Sequence, residues 1–111
     1  MKFLFKKLFG WAEISDAENA AVCKAIRIHV AAHPVCAWCG NRDLGELTAH
    51  HLVPINVAHE LALVESNLVT LCQERDGHRS ACHLIVGHLG NWKNINRKLP
   101  QQLALLAEVK A

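Results

Sequence analysis

Two kinds of metal-binding side chain recur in a fixed order along a short stretch of this chain. The order is Cys36-x-x-Cys39, His50-His51, Asn67, Cys72 and finally Cys82-His83. Four thiolates suit a closed structural zinc site, whereas imidazoles beside an unligated imidazole suit a reactive site. The stretch therefore predicts two different metal sites close together.

The size of the chain allows one small domain. Its 111 residues are 51% hydrophobic and 20% charged, which is typical of a globular protein rather than a disordered one. A domain this small often needs a metal to supplement its core. We expect an N-terminal arm over residues 1–15 and a single domain over 16–111, with the motifs in 36–92.

The cysteine count argues against a disulfide framework, because five is an odd number. The spacing of Cys36 and Cys39 favours metal binding in a reducing cytosol. Cys23 has no partner at metal-ligand spacing and lies in an Ala-rich helical pattern, so we expect it to be a buried, inert thiol.

The N-terminal run from Met1 to Gly10 is apolar, but two lysines interrupt its centre and no small-residue cleavage site follows closely. No apolar run in the chain is long enough to span a bilayer. We therefore expect a cytoplasmic protein without a membrane partner.

The distribution of charge is more informative than the net charge of +2. No lysine or arginine occurs between Asp43 and Glu74, whereas basic residues lie early, at Lys2, Lys6, Lys7, Lys24 and Arg27, and late, at Lys93, Arg97 and Lys98. A middle segment without lysine or arginine would accept a cation, and basic segments on either side of it would hold phosphates. Ordinary solvated surface charge would give the same pattern.

Local patterns predict an α+β fold. A helix capped near Ser15 should end at His33-Pro34, and Gly40 should allow a tight turn with positive φ. Further elements follow in order: strands over 47–53 and 68–71, a helix from Ser80 weakened by Gly87 and Gly90, and a terminal helix over 100–111. Strand, loop, strand and helix, each with ligands, form a ββα-metal arrangement with flanking helices.

The four cysteines are predicted to bind one structural zinc ion. Cys36 and Cys39 form the first pair, and Cys72 and Cys82 form the second, although the insertion between them is longer than a C-x-x-C turn. The alternative is four unrelated thiols in a core. With four protein ligands the ion would have no open position, so its role would be to hold the surrounding elements together.

The paired histidines predict a division of labour. Neighbouring side chains on a strand point to opposite faces, so His50 and His51 should not bind one ion together. One imidazole would then bind the metal and the other would activate water. On a helix, Cys82 and His83 diverge by about 100°, so Cys82 can face the zinc while His83 faces a second ion.

These residues resemble the three blocks of the His-Asn-His (HNH) nuclease motif. The blocks are Ala49-His50-His51-x-x-Pro54, Asn67-Leu68-x-x-Leu71-Cys72 and Cys82-His83, and the run from Gly87 to Trp92 is similar to small phage-type members. The resemblance implies phosphodiester hydrolysis, with His51 as general base, Asn67 positioning the loop and the base, and His50 and His83 as metal ligands. Many members have Asp where this chain has His50.

The remaining histidines give weaker signals. His88 lies five residues after His83, roughly 140° away on an ideal helix, so it is a candidate ligand only if Gly87 distorts the turn. Phosphate contact and a structural role are the alternatives for it. Four others lack partners at persuasive spacing and are predicted to be structural or surface residues: His29, His33, His59 and His78.

The expected partner is DNA. Trp92, Lys93, Arg97 and Lys98 combine an aromatic ring with cations that could hold a DNA backbone or stack on a base, although a solvated helix end fits equally. Imidazole ligands suit Zn²⁺ or Ni²⁺, whereas Mn²⁺ and Mg²⁺ prefer oxygen. A larger phage or restriction component is a conceivable further partner.

Two other kinds of protein remain open from the sequence. One is a non-catalytic zinc-containing DNA-binding module, or a subunit of a larger nuclease or packaging assembly. The other is a structural interaction protein that retains the fold. The spare imidazole in His50-His51 argues against a pure binding module, since binding alone does not need it.

Overall fold

The computed structural model describes residues 15–73 and 81–110. The first described element is helix α1, Asp16–Ala32. The hydroxyl of Ser15 accepts from the backbone of Glu18, and the Glu18 carboxylate accepts in return from the backbone of Ser15. The helix ends before His33, so both predicted ends are confirmed. The predicted N-terminal arm lies, except for Ser15, outside the described residues.

Two short strands form an antiparallel sheet. Strand β1 is Leu47–His51 and strand β2 is Leu68–Cys72, paired from Leu47 opposite Cys72 to His51 opposite Leu68. Three-residue 3-10 turns lie at Leu44–Glu46, His59–Leu61 and Glu65–Asn67. Both predicted strands are confirmed, although β1 ends two residues earlier than predicted, ahead of Pro54.

The element after the sheet differs from the α-helix predicted from Ser80. Ser80 lies outside the described residues, and His83–Gly87 forms a single turn of π-helix. The chain then turns through left-handed backbone at Leu89, with φ of 54°, and Gly90, with φ of 82°. Helix α2, Leu99–Lys110, begins with Pro100 in its first turn, where a missing N–H costs nothing.

The core has two apolar clusters. One joins Val22 and Cys23 of α1 to Ile55 and Ala62 in the excursion between the strands. The other joins Leu71 of β2 to Leu99 of α2 and includes the buried thiols Cys36 and Cys72; partly buried apolar side chains pack around it. Two of the four cysteines are thus part of the core itself, and the α+β ββα-metal fold is confirmed. None of the described helices is long and apolar enough to cross a membrane.

Candidate metal centres

The four predicted cysteines meet at one point. Their sulfur atoms lie within 4.8 Å of one another, and those of Cys39 and Cys72 are 3.6 Å apart. The turn after residue 35 contributes Cys36 and Cys39, the end of β2 contributes Cys72, and the start of the π-turn region contributes Cys82. The long insertion between Cys72 and Cys82 therefore does not prevent their convergence.

The backbone prepares this four-cysteine cluster for an ion. Gly40 adopts the predicted positive φ of 79°, and its N–H donates to the carbonyl of Cys36 at 3.0 Å. Burial raises the pKa of Cys36, but hydrogen bonds to the thiolate, mostly from backbone N–H groups, together lower it by more, so the pKa lies below its ordinary value. Burial raises the pKa of both Cys72 and Cys82. A cation would supply the charge that these buried thiolates need, and four sulfurs suit Zn²⁺.

A second cluster brings together His50, His83 and His88. Their candidate ligand atoms lie within 4.8 Å of one another, and all three residues are buried. The ring centroids are separated by 5.1 Å for His50 and His83, 4.8 Å for His50 and His88, and 5.0 Å for His83 and His88. Three converging imidazoles offer three nitrogen ligands and leave a fourth position open.

The π-turn explains why His83 and His88 converge. An ideal α-helix would separate them by roughly 140°, whereas the i to i+5 repeat of a π-turn puts both on one face. Gly87 contributes through its lack of a side chain. A Cβ at Gly87 would lie 3.1 Å from both Cε1 and Nδ1 of His50, so only glycine lets the turn approach that ring without crowding.

Hydrogen bonds orient two of the three rings. Nδ1 of His83 donates to Oε1 of Gln73 at 2.8 Å, and Nδ1 of His88 donates to the carbonyl of Asn94 at 2.9 Å. A neutral imidazole that donates through Nδ1 keeps its lone pair on Nε2. Metal-binding histidines are commonly held by such second hydrogen bonds.

The remaining ring, His50, has a buried Nδ1 with no hydrogen-bond partner among the described residues. Burial, together with the neighbouring imidazoles of His88 and His51, lowers the pKa of His50 to about 3. Burial also lowers the pKa of His83 and of His88. The cluster therefore holds neutral imidazoles at neutral pH, which is the form that binds a metal, and the donor set fits Zn²⁺ or Ni²⁺.

His51 lies outside this three-histidine cluster, although it follows His50 directly on β1. Its Nε2 lies 2.9 Å from the carbonyl of Ala62. Because a carbonyl only accepts, Nε2 must carry the proton and Nδ1 must carry the lone pair. Burial lowers the pKa of His51, opposed by that carbonyl, so the ring is neutral and its Nδ1 can accept a proton.

Asn67 holds the excursion between the two strands. Its Oδ1 accepts from the backbone of Val53 at 2.8 Å. Its Nδ2 donates to the carbonyls of Val53 at 3.0 Å and Leu61 at 3.1 Å. Leu61 directly precedes Ala62, the acceptor for His51. Asn67 therefore fixes the backbone that orients the His51 ring without touching that ring itself.

The predicted DNA-binding residues occupy different surroundings. Lys93, Arg97 and Lys98 are exposed. Trp92 is partly buried, with its ring 5.1 Å from the rings of both His83 and His88. Part of the indole surface is thus used to cover the three-histidine cluster rather than left open for a base.

Sequence patterns missed several contributors to these sites. Gln73 and the carbonyls of Ala62 and Asn94 carry no sequence signal, since any residue supplies a carbonyl. His29 and His33, predicted to be structural or surface residues, have ring centroids 4.6 Å apart, and both contact Glu65, which the sequence patterns did not predict. Their four-residue spacing on a helix was the available signal.

Comparison with known proteins agrees with this geometry. Residues 36–88 match the family model described as HNH endonuclease. The matched segment begins at the first clustered cysteine and ends at His88, and so includes every member of both clusters. No curated protein and no solved structure matches the chain.

Proposed function

Because residues 36–88 of this chain match the family model of the HNH endonucleases, we propose that it is a metal-dependent endonuclease that hydrolyses DNA phosphodiester bonds. The observation that carries the proposal is that His50 and His51, which are consecutive on β1, have different surroundings. His50 converges with two other imidazoles, while His51 is held separately with Nδ1 able to accept a proton. One strand thus supplies both a ligand and a base.

In this proposal the catalytic ion is held by His50, His83 and His88. A divalent ion bound there would stabilise negative charge developing on the phosphate and its leaving oxygen. Three neutral nitrogens favour Zn²⁺ or Ni²⁺, and Mn²⁺ or Mg²⁺ would bind less strongly because they prefer oxygen ligands. The four-cysteine cluster would hold a structural Zn²⁺.

The proton-transfer step belongs to His51. Its Nδ1 would take a proton from the attacking water, and the Ala62 carbonyl would stabilise the resulting imidazolium through Nε2–H. Asn67 would keep that carbonyl in place through its bonds to the adjoining backbone. General-base assistance of this kind contributes about 10² to 10⁴ in rate.

The DNA backbone would be held by the exposed cations Lys93, Arg97 and Lys98, which follow the three-histidine cluster in sequence. These contacts carry no base-specific information. Target choice would then come from DNA shape or from a larger partner protein.

The test is a plasmid assay with the purified chain and a series of divalent ions. We expect nicked or linear DNA, lost on chelation and in the His51→Ala variant. His59→Ala is the matched control, because His59 is an exposed histidine in the same excursion. Retarded but uncut plasmid under every ion would contradict the proposal and favour a DNA-binding module.

A further inference from the structure

We propose that His29, His33 and Glu65 form an additional binding site for a divalent ion of the zinc type. Their candidate ligand atoms lie within 4.8 Å of one another. None of the three belongs to the four-cysteine or the three-histidine cluster. The inference does not depend on the proposed nuclease activity.

Helix α1 positions the two imidazoles. His29 lies in its last turn, and His33 is the capping residue, whose N–H donates to the carbonyl of His29 at 2.8 Å. Side chains four residues apart lie on one face of a helix, and the planes of these two rings are tilted by 34° with their centroids 4.6 Å apart. Pro34 disfavours helical backbone at His33, whose φ of −130° and ψ of 71° end the helix at this residue.

Glu65 approaches from the 3-10 turn before β2. Its Oε1 lies 2.7 Å from Nδ1 of His29 and 3.3 Å from Nε2 of His33. Donor atoms around a tetrahedral zinc ion lie about 3.3 Å apart, given bond lengths of about 2.0–2.1 Å. The contact to His33 already has that spacing, and the contact to His29 needs to widen by about 0.6 Å.

An independent observation points to a ligand at this place. The three side chains line one wall of a cavity of about 490 Å³, which Thr70 of β2 also lines. Thr70 is 2% exposed, and its buried Oγ1 has no hydrogen-bond partner among the described residues.

Three ligands leave a fourth position for water or an anionic oxygen, and the cavity gives that position room. The ion would also tie the end of α1 to the Glu65–Asn67 turn, and so to Asn67.

The test is a Zn²⁺ titration of the full chain, as purified with its tightly bound metal, followed by amide NMR and calorimetry. We expect a binding event that shifts the amide signals of His33 and Thr70. His33→Ala and Glu65→Gln should each weaken that event at least ten-fold. Both side chains are 60% exposed, so neither substitution should disturb the fold.

The matched control is His59→Ala. His59 also faces a glutamate, with Nδ1 3.5 Å from Oε2 of Glu18, but it belongs to no group of three ligands among the described residues. Its removal should change the affinity less than two-fold. The proposal is overturned if His33 and Thr70 do not shift with Zn²⁺, or if His33→Ala and Glu65→Gln bind as the unchanged chain does.

Discussion

The four-cysteine cluster and the three-histidine cluster draw on the same parts of the fold, the two strands and the π-turn region, but differ in the number of ligands and in their surroundings. Cys82 and His83 are neighbours, as are the strands that carry Cys72 and His50. Yet the cysteines offer four candidate ligands, and two of their thiols lie in the apolar core. The histidines offer three candidate ligands, and polar groups outside the cluster orient two of them.

This difference separates stability from chemistry. A tetrahedral ion with four protein ligands has no position for substrate, and the core depends on it. An ion with three protein ligands can accept water or a phosphate oxygen, and the core depends on it less. Losing the first should cost the fold, whereas losing the second should cost activity.

The largest effect is expected from Cys39→Ala. Cys39 is exposed, so its loss removes a ligand without leaving a cavity in the core. Structural zinc contributes about 10–16 kcal/mol in zinc-finger peptides, so the variant should lose cooperative folding by circular dichroism. Cys23→Ala, which removes a buried thiol outside the cluster, should still fold. A Cys39→Ala protein with normal thermal unfolding would show that the cluster is not structural.

Next in size is the effect of His51→Ala on catalysis. The cleavage rate should fall by about 10² to 10⁴ because the general base is lost. Bound metal, measured by mass spectrometry of the native protein, should not change, because His51 is outside the cluster. A variant that loses its metal together with its activity would make His51 a ligand instead.

Gln73→Leu should act only on the three-histidine cluster. The substitution removes the acceptor that orients His83. Loss of such an outer partner typically weakens metal affinity by about 10- to 100-fold. Calorimetric titration with Zn²⁺ measures this, and Gln101→Leu, at an exposed position on α2, is the control. Equal affinity in both variants would mean that His83 needs no outer support.

The smallest effect is expected from Gly87→Ala. The added methyl group would lie 3.1 Å from the His50 ring and 3.3 Å from the side chain of Leu71. We expect a loss of about 1 kcal/mol in the free energy of unfolding, measured by urea denaturation, because close-packed neighbours must move. Unchanged or increased stability would show that the π-turn has room to spare.

Sequence patterns predicted the parts of this molecule that depend on local chemistry. Ser15 and Glu18 form the expected helix cap, and Gly40 makes the expected turn. The π-turn was beyond prediction because periodicity assumes about 100° per residue, and a π-turn violates that assumption. The contact of His29 with Glu65 spans 36 residues, so only the fold reveals it.

The most direct test of this separation is one chelator titration followed by two signals, plasmid cleavage and far-ultraviolet circular dichroism. We predict that cleavage is lost first, while the helical signal persists until much higher chelator concentrations release the sulfur-bound ion. Simultaneous loss of both signals would contradict the account, as would cleavage that continues after the histidine-bound ion has gone.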